Sequence, residues 1–129
     1  MGELIMVEKT KDHVYELDFD YDDFNNAVEE IVHEFKHSNY KNIYGVPRGG
    51  LILATVLSHK LGLPMTDKIG DETIIVDDIC DTGKTLINFR NLKIVLVAKD
   101  LGRHRVDNNL FYFLGVDDNI WVNFWWEEK

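Results

Sequence analysis

Cysteine is almost missing from this sequence. Cys80 is the single one in 129 residues, so no internal disulfide forms. That scarcity fits a reducing, cytoplasmic setting. Long apolar runs are missing too. Stretches such as Ile94-Val95-Leu96-Val97-Ala98 fall far short of the ~20 residues that span a bilayer, so no membrane partner is expected. Met1-Gly2-Glu3-Leu4 does not place a basic segment before an apolar one, and so does not read as a secretory leader. Positive charge is scarce: 14 Lys and Arg face 23 Asp and Glu, a formal net charge of −9. This disfavours a broad nucleic-acid surface, which needs clustered Lys and Arg. It leaves phosphate ligands open, because backbone N–H groups at a helix start hold anions even in an acidic protein. Repeats, low-complexity tracts and linkers are absent, so residues 1–129 read as one domain. With 45% hydrophobic residues the chain has enough apolar surface to bury a core.

The pattern of that surface sets the fold class. Residues 3–8 and 13–19 read as short strands around a polar turn at Lys9 to Asp12. Phe24, Val28, Ile31, Val32 and Phe35 recur at helical spacing, which predicts a helix over 21–38. Asp22 and Asp23 at its start, and Lys36 and His37 at its end, suit the helix dipole. Asn42 to Val46 is a buried strand, and a second helix is predicted over about 50–61, stopped by Gly62 and Pro64. Thr73 to Val76, Leu92 to Ala98 and Leu110 to Leu114 are further strands. A short helix is predicted from Gly83 to Phe89, and Trp121 to Trp126 forms an aromatic tail. Strands apolar on both faces, alternating with helices, imply an α/β fold of three layers with a mostly parallel sheet. Ligands then bind beyond the carboxyl ends of the strands, which is where the polar, glycine-rich segments 47–50 and 77–85 fall.

In the second segment an apolar strand runs into Asp77 and Asp78, followed by Asp81-Thr82-Gly83-Lys84-Thr85 and a helix start. Gly83 allows an unusual backbone angle and close ligand approach. The Thr82 and Thr85 hydroxyls, with N–H groups of the helix start, suit a phosphate monoester. Asp77 and Asp78 repel phosphate but suit sugar hydroxyls or a cation nearby. A sugar phosphate with a vicinal diol meets both demands. A nucleotide-triphosphatase loop needs glycine where Asp78 stands. A simple helix cap explains Asp81 or Thr82 but not two acids ending an apolar strand.

The run Ile74-Ile75-Val76-Asp77-Asp78-Ile79-Cys80-Asp81-Thr82-Gly83-Lys84-Thr85 resembles the signature of type I phosphoribosyltransferases. The resemblance implies that Asp77 and Asp78 hold the ribose of phosphoribosyl pyrophosphate, beside a magnesium ion. It implies that Asp81 to Thr85 wrap the 5-phosphate, with Asp81 also managing a proton on the acceptor base. Pro47-Arg48-Gly49-Gly50 resembles the family's pyrophosphate loop, which implies donor contacts from Arg48 and Gly49 and a cis peptide near Arg48-Gly49. Lys99, Trp121 and Val122 are similar in spacing to residues of the bacterial xanthine-guanine enzymes. By that likeness Lys99 reads the purine 6-oxo group, Trp121 stacks on the ring, and the main chain of Val122 contacts the base. Packing in a core or dimer contact is the competing reading of the tryptophans. Glu127 is a further candidate for a polar or metal-linked contact.

The implied activity is transfer of ribose 5-phosphate from phosphoribosyl pyrophosphate to guanine, xanthine or hypoxanthine, in a homodimer or higher oligomer. The chain departs from the family before the signature strand, where residues 63–72 leave room for only a small hood, or none. The alternative is therefore a non-catalytic module that binds the donor or a nucleotide. His33 and His37, four apart on a helix, read as a solvated face without a third metal ligand. Cys80 shows no sign of being a nucleophile. Arg103 and His104 read as part of an exposed connection, with Arg103 a candidate for the pyrophosphate.

Overall fold

The structure is a computed structural model that describes residues 6–7, 15–106 and 108–127. The turn expected at Lys9 to Asp12 lies outside these, as do most of the first expected strand and the start of the second.

Apolar periodicity builds the main sheet. Its strands β3 (Asn42–Gly45), β4 (Thr73–Cys80), β5 (Lys93–Lys99) and β6 (Leu110–Val116) lie in the order β3-β4-β5-β6. Every pairing is parallel. A second sheet is made near the ends of the described chain, from β1 (Met6–Val7), β2 (Tyr15–Phe19) and β7 (Ile120–Phe124) in the order β1-β2-β7. The β2–β7 pair is parallel and joins Tyr15 to Ile120 and Phe19 to Phe124. Among the described residues three α-helices flank these sheets: α1 (Tyr21–Phe35), α2 (Gly49–Leu61) and α3 (Asp100–Arg105).

Alternation along the central strands divides the core. Ile74 and Val76 of β4, with Ile94 and Leu96 of β5, face a large cluster that includes Phe24, Ile31, Leu53, Leu57, Phe19 and Phe124. Ile75 and Val95 face the other way and meet Cys80, Leu86, Ala98 and Val106. Successive strand residues point to opposite faces, so one sheet supplies both clusters and the expected layers follow. α1 starts at a reciprocal cap, in which Asp20 accepts from the N–H of Asp23 at 2.8 Å and Asp23 accepts from that of Asp20 at 3.0 Å. α2 ends at Gly62, whose φ of 69° suits a residue without Cβ.

Four sequence expectations are revised. β4 does not stop at Val76 but continues through both acids to Cys80, because parallel pairing with β5 (Asp77 with Val95, Cys80 with Ala98) uses backbone groups and is indifferent to side-chain polarity. The helix expected over 83–89 shrinks to one 3-10 turn at Leu86–Asn88. The Asn88 side chain takes the carbonyls of Lys84 and Thr85, which a longer helix would need as acceptors. The connection after Lys99 is helical, as α3. The aromatic tail is largely a strand, β7, with alternating burial.

The short segment before the signature strand runs along the open edge of β3. Ile43 N–H donates to Pro64 at 3.0 Å, and Thr66 N–H donates to Ile43 at 2.8 Å. An edge that would otherwise present unpaired groups is thereby covered.

Candidate active site

The carboxyl ends of β3, β4 and β5 converge on two adjoining hollows. The larger, of about 670 Å³, is lined by Arg48, Gly49, Ile52, Asp78, Trp126 and Glu127. The smaller, of about 110 Å³, is formed by Asp77 and the run from Ile79 to Leu86, including Asp81, Thr82, Gly83, Lys84 and Thr85. The two consecutive acids at the end of β4 are divided between the hollows: Asp78 lines the larger and Asp77 the smaller, with their carboxyls still close enough to interact.

Each acid is held by its own turn. Asp77 Oδ1 accepts from the N–H of Asp78 at 2.8 Å, and Asp78 Oδ1 accepts from that of Ile79 at 2.8 Å. Burial pushes the Asp77 carboxyl up to about 8, and the adjacent Asp78 carboxyl adds to the rise. Gly49 keeps the larger hollow open beside Asp78: a Cβ there would collide with the Asp78 carboxylate. The cis peptide of this segment joins Pro47 to Arg48, one bond earlier than expected.

The loop after β4 turns at Gly83, with φ of 83°, a region open to glycine. Lys99, at the end of β5, is only 8% exposed. Its Nζ lies 3.4 Å from Asp81 Oδ1, and the Asp81 side chain stands 61% exposed. Asp81 therefore reaches out of the loop with a buried ammonium behind it. Cys80 is buried, and its thiol is pushed up to about 11 by burial and by the charges of Asp77 and Asp81, which leaves it protonated and unreactive at neutral pH.

The structure thus gathers Arg48, Gly49, Asp77, Asp78, Asp81 to Thr85 and Lys99 at one edge of the sheet. It puts Trp121 and Val122 elsewhere. Val122 is buried in the main core. Trp121 projects from the other side of β7, 59% exposed, with Nε1 donating to Asn123 at 3.1 Å. The indole at the larger hollow is that of Trp126, stacked on Phe124 with centroids 4.8 Å apart. Arg103 pairs with Asp100 and lies over the Tyr112 ring, away from both hollows. His33 lines a shallow groove with Glu29, Val32, Lys36 and Lys60. Among the described residues no group of three or more His, Cys, Asp or Glu is arranged to hold a metal. Sequence reasoning missed Arg105, whose Nη1 donates to the Thr82 carbonyl at 3.1 Å. No local pattern marks such a contact, because it joins residues on separate elements.

No protein-family profile matches the chain. Solved structures do. A purine phosphoribosyltransferase from Pyrococcus horikoshii is 26% identical, with a TM-score of 0.74 over 88% of this chain and 95% of that one. The xanthine-guanine-hypoxanthine phosphoribosyltransferase of Helicobacter pylori is 19% identical, with a TM-score of 0.71 over 88% and 93% of the two chains. An adenine phosphoribosyltransferase from Giardia lamblia, complexed with 9-deazaadenine, is 15% identical, with a TM-score of 0.68 over the same shares, 88% and 93%. The mostly parallel sheet, its flanking helices and the two hollows at its carboxyl edge together give this chain the type I phosphoribosyltransferase fold.

Proposed function

We propose that the protein is a phosphoribosyltransferase that moves ribose 5-phosphate from phosphoribosyl pyrophosphate to a ring nitrogen of a 6-oxopurine. The observation that carries this reading is the juxtaposition at the end of β4. Two carboxylates, one facing each hollow, stand directly beside a small loop-lined hollow rich in N–H and hydroxyl groups.

In the reaction the bond from C1 of the ribose to pyrophosphate breaks and a bond from C1 to the purine nitrogen forms. Positive charge develops on the sugar ring as the leaving group departs. Thr82, Gly83, Lys84 and Thr85 hold the 5-phosphate, while Asp77 and Asp78 fix the ribose hydroxyls and Asp78 favours that charge. Arg48 and the main chain at Gly49 bind the pyrophosphate. Asp81, exposed and backed by Lys99, takes the proton released by the purine nitrogen, and Lys99 also faces the 6-oxo group. Trp121 and Val122 line neither hollow, so the ring that stacks on the purine is that of Trp126, at the larger hollow. No covalent nucleophile is invoked, and positioning accounts for most of the rate.

The donor set suits magnesium. Asp77 and Asp78 offer hard oxygens, too few for a protein-only cage and enough for an ion held mainly by phosphates and water. Such an ion would offset the charge of the departing pyrophosphate.

Purified protein with phosphoribosyl pyrophosphate, magnesium and guanine, xanthine or hypoxanthine is expected to form the nucleoside monophosphate. Asp81→Asn should lower kcat by about a hundredfold or more while changing donor affinity little. Loss of both in equal measure would remove Asp81 from its role. Tight donor binding without product from any of the bases would assign the protein to the non-catalytic alternative.

A further inference from the structure

We infer that α3 is a clamp for the phosphate loop, with Arg105 as its positioning residue. The inference deepens the proposed function, since the loop it acts on is the one assigned to the 5-phosphate.

The start of the loop has little to hold its own shape, since the Asn88 side chain ties down only the carbonyls of Lys84 and Thr85. Lys84 N–H reaches the Thr82 hydroxyl at a long 3.4 Å, and Ile87 N–H donates to Gly83 at 3.0 Å. Support comes from α3. Gly102 packs so closely under the start of the loop that a Cβ there would stand 2.7 Å from the carbonyl oxygens of both Cys80 and Asp81. A Cβ on Gly83 would stand 2.7 Å from Val106, just past the end of α3. The two glycines therefore let helix and loop meet backbone to backbone.

Arg105 supplies the directional element. Its Nη1 donates to the Thr82 carbonyl at 3.1 Å. A trans peptide is planar, with its C=O and N–H pointing in opposite directions. Holding the Thr82 oxygen on the α3 side turns the Gly83 N–H of the same peptide unit away from α3. Among the described residues that N–H meets no acceptor, and Thr82, Gly83 and Lys84 all line the small hollow. Arg105 thus acts on the phosphate through Thr82 and Gly83, not by touching it. α3 is itself anchored, because Leu101 N–H donates to Asp118 Oδ1 at 3.0 Å in the turn before β7.

The test has two arms, on the full chain. In the first, amide signals of the isotope-labelled, ligand-free protein are compared for wild type, Arg105→Ala and Arg105→Lys. The alanine variant is expected to broaden Gly83 and Lys84 while leaving β4 and β5 unchanged, and lysine, which keeps a donor, to restore them. In the second arm, calorimetry with ribose 5-phosphate and with phosphoribosyl pyrophosphate plus magnesium should show affinity falling about tenfold in the alanine variant. Turnover at saturating donor should persist. Gly83 and Lys84 signals that stay sharp in Arg105→Ala would overturn the clamp, even if affinity fell, because a residue lending only charge to the phosphate leaves the empty loop in place. Wild-type protein that binds neither ligand would instead overturn the site reading, and the clamp would then stand or fall on the amide signals.

Discussion

Asp77 holds a proton near neutrality because burial and Asp78 both oppose its charge, lifting it from 3.8 to about 8. The sign of the linkage follows. A carboxyl raised on folding stabilises the native state fully below its unfolded value of 3.8, and that contribution is lost as pH climbs through about 8. Metal-free wild type should therefore lose stability relative to Asp77→Asn between those limits, read as the urea midpoint at a series of pH values. Parallel curves for the two proteins would mean that Asp77 ionises normally. Three residues on, Cys80 answers to the same surroundings in the opposite practical sense. Its thiol is raised to about 11 and buried, so a thiol-reactive dye at neutral pH should label native protein only as fast as it unfolds, and denatured protein at once. Rapid labelling of the native state would show that the loop opens around it.

At the scale of elements, α3 and the loop after β4 share one packing surface, and Gly102 is its tightest point. Gly102→Ala puts a methyl group against two carbonyl oxygens and the Cys80 sulfur, at 2.7 to 2.8 Å. These are backbone and core atoms that cannot swing aside. Overpacking of this kind costs about 1–3 kcal/mol, so the variant should show a lower denaturation midpoint and weaker donor binding together. Retention of both would mean that α3 does not rest on the loop. This contact also marks where sequence reading ran short. β3, α2, β4 and β5 were legible because their apolar runs are contiguous, and Asp77 to Thr85 because the chemistry lies within one stretch of chain. α3 has six residues, too few for a periodic stripe. β7 alternates Ile120, Trp121, Val122, Asn123 and Phe124 as a strand should, but its partner β2 lies about a hundred residues earlier. Local pattern does not announce such a pairing, and so the segment read as a tail. The same reason hid Trp126 from the larger hollow, since its place there depends on where β7 ends over the main sheet.

For the molecule as a whole, the parallel sheet with its separate core on each face brings the strand ends, and hence the polar loops, to one edge. It does so within a chain of net charge −9. Of the cations at that edge, Lys99 pairs with Asp81 and Arg105 donates to the Thr82 carbonyl, which leaves Arg48 and Lys84 to face the hollows. What remains suits one small anion that enters the hollow and presents a phosphate to directed N–H groups. It does not suit a polyanion, whose non-specific binding depends on neutralising several successive phosphates and releasing their counterions. Single-stranded RNA or duplex DNA at physiological salt should therefore give no electrophoretic shift at about 10 µM protein, within the range where non-specific binders already respond. Phosphoribosyl pyrophosphate with magnesium should still be bound under the same conditions. A shift that weakens steeply with added salt would reveal a basic surface outside the two hollows. A shift abolished by phosphoribosyl pyrophosphate would mean that the nucleic acid enters the donor site itself, and selectivity for a free sugar phosphate would then have to come from the acceptor side.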